Sequence, residues 1–97
     1  MIFIIALFLS GCSQQINTSK EQIAFKCTKL CQSKINTQDL NNGLCLGLID
    51  DGWVCDVAHN PRQAIDNLPE NQCIDYREGR ARHFVEVDPE CKIIREL

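Results

Sequence analysis

Hydrophobic and polar positions alternate along this chain in three rhythms. Ile2 to Leu9 is an unbroken apolar run of eight residues, and the stretch Ser13 to Ser19 that follows it is largely polar and uncharged. Eight residues are too few to span a bilayer as a helix, which takes about 20, yet they suit the apolar centre of an export signal. Ile23, Cys27, Leu30 and Cys31 then recur at three and four residues, the spacing of one helical face. Thr18-x-x-Glu21 and Ser19-x-x-Gln22 are overlapping capping boxes just before that pattern. Together they predict a helix from about residue 20 to 34.

Beyond Asn41-Asn42-Gly43 the rhythm changes to that of strands. Leu44 to Ile49 and Trp53 to Ala58 flank Asp50-Asp51-Gly52, which reads as a hairpin. A three-residue connection would put Cys45, Gly47, Ile49, Trp53, Cys55 and Val57 on one face, toward the helix. Asn60-Pro61 supplies a cap and a first-turn proline for a short helical segment to Asn67, and Pro69 opens another that Gly79 can end. Strict alternation returns from Arg80 to Asp88. Ala81, His83, Val85 and Val87 point one way; Arg80, Arg82, Phe84, Glu86 and Asp88 point the other. Asp88-Pro89 turns the chain, and Ile93 and Ile94 after Cys91 suggest a last strand. The expected class is α+β: one N-terminal helix packed on a small antiparallel sheet, with too little chain for βαβ crossovers.

The residues Leu9-Ser10-Gly11-Cys12, directly behind the apolar run, resemble the lipobox of prokaryotic lipoproteins. That resemblance implies a signal peptide over 1–11 and acylation of Cys12; the polar stretch to residue 19 reads as a tether, and length leaves a single domain over 20–97. The resemblance also implies export and attachment to the membrane through the lipid on Cys12.

Cysteine count adds to this picture. Seven cysteines are odd for an exported chain, and setting Cys12 aside for lipid leaves six: Cys27, Cys31, Cys45, Cys55, Cys73 and Cys91. A domain under about 80 residues has a marginal core, and disulfides are its usual reinforcement. Two helical cysteines four apart have nearly parallel Cβ directions and cannot bridge each other. Shared buried faces therefore predict Cys27 and Cys31 joined to Cys45 and Cys55, in either order, with Cys73 joined to Cys91. A helical C-x-x-x-C facing a cysteine hairpin is similar in architecture to the cystine-stabilised α/β arrangement of small defence peptides, though their C-x-C strand motif is absent. The competing reading of the same residues is zinc, held by Cys27, Cys31, Cys55 and His59 in a reducing compartment.

Charge excludes some partners. A net charge of −3 and a pI near 5.2 provide no global field for nucleic acid. Arg77, Arg80 and Arg82, beside His83, form a local basic knot: either a solvated face with charge pairs or an anion-binding patch. His59 and His83 are the only histidines. His83 falls on the apolar strand face, as a hydrogen-bonded core histidine or as half of a site with His59, near Asp56 or Glu86. Trp53 reads as a core anchor of the hairpin or an exposed recognition residue. No phosphate loop, G-x-S-x-G, H-E-x-x-H or dinucleotide fingerprint occurs, and no cofactor is implied.

The segments Trp53 to Gln63 and His83 to Cys91 resemble short cysteine-rich exported microbial proteins, a likeness that carries no activity. The leading expectation is a lipid-anchored, disulfide-stabilised extracytoplasmic binding or envelope-accessory module for a protein or small-molecule ligand. The rival is a small nuclease-like hydrolase using His59 and His83, with Arg62 or Arg82 as anion clamp.

Overall fold

The computed structural model describes residues 19–97; the lipobox lies outside them. Helix α1 spans Lys20–Lys34. Of the two overlapping caps, Ser19 is used: its Oγ accepts from the Gln22 amide at 3.2 Å while Gln22 Oε1 accepts from the Ser19 amide at 3.0 Å. Glu21 in the first turn and Lys34 in the last suit the helix dipole. The face carrying Ile23, Cys27 and Cys31 is buried.

Strands β1 (Cys45–Asp50), β2 (Trp53–Val57), β3 (His83–Val87) and β4 (Ile93–Glu96) form one sheet in the order β1-β2-β3-β4. The architecture is α+β, with the helix packed on the sheet and three disulfides holding it. The outer pairs are antiparallel, but β2 and β3 run parallel, so the sheet is mixed rather than wholly antiparallel. Residues 58–82 make the crossover that parallel strands need; 25 residues are ample for it, contrary to the expectation from chain length. It carries 3₁₀ turns at Ala64–Asn67 and Pro69–Asn71 and a short helix α2 (Ile74–Arg77). The bond Asn60–Pro61 is cis and the first turn starts only at Ala64, so Pro61 is not a first-turn proline.

Both faces of the sheet carry buried residues. Against α1 lie Cys55, Val57, Val85, Val87 and Cys91, with Leu46, Ile49 and Trp53 partly covered. On the opposite face Val54, Cys73 and Ala81 form a second, smaller cluster with Cys45 and Phe84. Cys45 is thus not on the helix face where alternation puts it. Its partner in β2 is Asp56, whereas that of Gly47 is Cys55, so one residue of β1 is extra and a bulge turns Cys45 over. Gly47 at φ +105° supplies the backbone conformation for this.

That reversal changes the expected disulfide pairing, apart from Cys27–Cys55, which is one of the two orders expected. Cys27 joins Cys55, Cys31 joins Cys91 and Cys45 joins Cys73. Two bridges tie α1 to the sheet, and the third ties the crossover to β1 on the other face. Cys73 and Cys91 do not pair, because Cys91, at φ +69° in the β3–β4 turn, is directed to the α1 side.

Candidate functional site

The face away from α1 bears an open cleft of about 160 Å³. Its chemistry starts from two carboxylates set within apolar strand runs, W-V-C-D-V and H-F-V-E-V. Parallel pairing makes Asp56 and Glu86 direct neighbours on β2 and β3. Both alternate with core residues and so share the cleft face with Val54 and Phe84.

Two like charges side by side need an answer, and the arginines supply it. Glu86 is only 3% exposed; Arg62 Nη1 donates to its Oε2 and Arg95 Nε donates to its Oε1 at 3.1 Å. Arg62 is spent on this role. Its Nε and Nη2 donate to Asn67 Oδ1 at 3.2 and 3.1 Å, and Nη2 also donates to the Asp66 carbonyl at 3.1 Å. Asp56 has no such clamp: its Oδ1 is buried with no hydrogen-bond partner among the described residues. Burial first, then the neighbouring Glu86 charge, raise its pKa to about 7, against the lowering pull of Arg62.

A folded pKa above the unfolded value of 3.8 means that the native state binds the extra proton between those limits. Stability should therefore fall as pH rises from about 4 to 7. Asp56→Asn is expected to be near neutral at pH 5 and stabilising at pH 8, by about 1–3 kcal/mol after discounting the full conversion of 1.36 kcal/mol per pKa unit for water in the cleft. Denaturant melts at the two pH values measure it; equal effects at both would show that Asp56 does not titrate between them.

The cleft wall is aromatic. Tyr76 and Phe84 meet edge to face at 5.2 Å, and the Arg95 guanidinium lies 5.4 Å over the Phe84 ring. Arg77 lines the rim, its Nη1 donating only weakly to Gln72 Oε1 at 3.4 Å. The basic knot does not form as one patch. Arg80 pairs with Asp75 and Glu78, Arg77 serves the cleft, and Arg82 is exposed outside the cleft lining.

A groove of about 290 Å³ near Asn60–Pro61 holds His59. Asp66, 2% exposed, accepts from the amides of His59 and Gln63, each at 2.9 Å, and lies 3.0 Å from His59 Nδ1. Burial alone would raise its pKa. The two amides and the imidazole outweigh that and hold the carboxyl below the usual range. Gly43, at φ +65°, is needed here: a Cβ on it would stand 2.3 Å from Asp66 Oδ1.

The histidines do not converge. His83 pairs with Trp53 at the start of the parallel strands, whereas His59 follows Val57 at their far end, a strand length of about 13 Å away. His83 is exposed rather than buried in the core, its ring stacked on Trp53 at 4.6 Å and 18°. Trp53 itself packs partly into the α1-side core. All six cysteines are half-cystines, so Cys55-x-x-x-His59 offers no thiolate. Among the described residues no three His, Cys, Asp or Glu side chains are grouped to hold a metal ion.

Sequence reasoning missed Asp66 and Arg95. A charged residue inside an apolar strand run, as at Asp56 and Glu86, was the available signal for the cleft; nothing in the local sequence marks Asp66 as the partner of His59. Compared with known proteins, the chain matches no family profile, no curated protein and no solved structure.

Proposed function

We propose that this chain is an exported, lipid-anchored binding module, held to the membrane through Cys12 and presenting the cleft between β2, β3 and the crossover to a ligand. Three disulfides fit an oxidising, extracytoplasmic setting, and no described helix is long and apolar enough to cross a membrane. The observation that carries the binding reading is the cleft itself: a concave, part-aromatic surface with convergent charged groups and one unpartnered carboxyl oxygen.

The anchor is tested by intact mass of membrane-fraction protein. Loss of residues 1–11 with acylation of Cys12 is expected, and Cys12→Ser should release the domain or leave the precursor uncleaved. An intact Met1 together with unchanged fractionation of Cys12→Ser would refute the anchor.

The His59–Asp66 pair supports a second reading, a small hydrolase in which the carboxylate orients the imidazole as a base. His83 has no part in it. A hydrolytic activity abolished by His59→Gln, in protein that keeps its fold, would favour this reading over the first.

A further inference from the structure

We propose that the cleft binds a small organic carboxylate with an apolar group, its anion met by Arg77 and Arg95 and its apolar part laid on Tyr76, Phe84 and Val54. The inference rests on the binding-module reading and names the ligand that reading leaves open.

Charge balance selects the anion. Three arginines and two carboxylates line the cleft, an excess of one positive charge that becomes two when Asp56 is neutral. A cationic ligand would need a free carboxylate. Both Glu86 oxygens are already engaged by arginines, and Asp56, its pKa raised to about 7 by burial and by Glu86, is only partly ionised at neutral pH.

Donors for an anion are at hand. Arg95 spends Nε on Glu86, and Arg77 has only its long contact to Gln72, so both keep N–H groups for a carboxylate fork. Arg62, bonded through all three nitrogens, is a positioning residue that keeps Glu86 neutralised. The size limits the apolar part. An apolar cavity of about 150 Å³ takes one benzene ring, and this cleft of about 160 Å³ is comparable. Either a free carboxylic acid or the C-terminus of a peptide ending in an apolar residue presents this chemistry.

The site carries its own pH signature. Asp56 on β2 faces Glu86 on β3, Arg95 on β4, Tyr76 and Arg77 on α2, and Arg62 in the crossover, with Asp66 adding a weaker negative field. An anion bound among these groups disfavours ionised Asp56, so by linkage it binds more tightly when Asp56 is protonated. Affinity should rise as pH falls from 8 to 6. Asp56→Asn should flatten that dependence.

The test is a titration of ¹⁵N-labelled, oxidised full-length protein in non-ionic detergent, followed by amide chemical shifts. Phenylacetate and N-acetyl-phenylalanine are the carboxylate probes, with phenethylamine and N-acetyl-phenylalaninamide as the cationic and neutral counterparts. Saturable shifts at Tyr76, Arg77, Phe84 and Arg95 with the carboxylates alone are expected. Arg77→Gln, which removes a guanidinium whose described hydrogen bond is the long one to Gln72, should weaken them about tenfold or more. Tighter binding of N-acetyl-phenylalanine than phenylacetate identifies a peptide C-terminus; the reverse identifies a free acid. Equal or tighter binding of the amine or the amide in the cleft overturns the ligand class and leaves the binding-module reading standing. Saturation by none of the four, or only at residues outside the cleft, overturns both.

Discussion

Reducing the three disulfides is expected to unfold the domain at ambient temperature. On the chain-entropy account the Cys31–Cys91 bridge, with a sequence separation of 60, stabilises by about 4 kcal/mol. The Cys27–Cys55 and Cys45–Cys73 bridges, each with a separation of 28, stabilise by slightly less. A domain of this length holds about 4–12 kcal/mol in total, so losing all three exhausts the margin. Thermal melts followed by circular dichroism, with and without thiol reductant, measure the effect. A cooperative melt unchanged by reductant would show that the two apolar clusters suffice alone.

The bridges should also differ in what they release. Cys31→Ala with Cys91→Ala frees the turn after β3 from α1, within the main core. Cys45→Ala with Cys73→Ala instead frees the crossover from β1, beneath the cleft. Limited proteolysis of the second pair of substitutions is expected to cut within 58–82 while α1 and the sheet stay protected.

Asp66→Ala is expected to cost about 2–6 kcal/mol. Its carboxylate satisfies the amides of His59 and Gln63 and orients the His59 ring. Removing it strands two part-buried N–H groups at about 1–3 kcal/mol each. Gly43→Ala should mimic the loss, since the added Cβ would occupy the space of Asp66 Oδ1 in a left-handed backbone conformation that favours glycine. The pH sign is opposite to that of Asp56. A folded pKa held below 3.8 gives stability that is fully present above the unfolded value and lost as pH falls through the folded one. The gap between wild type and Asp66→Ala in urea melts should therefore narrow as pH falls from 6 to 3. A constant gap across that range would mean that the carboxylate acts by packing and not by its charge.

The sequence by itself determined the elements with strong local signals. Helix α1 was legible because its cap, its three-and-four spacing and its dipole-compatible ends lie within 16 consecutive residues and agree with one another. The hairpin and the last two strands were legible from alternation and from turn residues. The need for disulfides followed from an even cysteine set in a chain too short for a large core.

Tertiary structure alone decided the rest. Side-chain alternation has a period of two, so the extra residue between Cys45 and Gly47 sent Cys45 to the opposite face, where it takes Cys73 and leaves Cys91 to Cys31. Only the parallel pairing of β2 with β3, closed by the crossover, made Asp56 and Glu86 neighbours across 30 residues of sequence. Arg62, Arg95 and Asp66 took their roles from that closure. Local sequence records propensity and periodicity, while the pairing of distant charges depends on strand order and register, which short-range pattern does not encode.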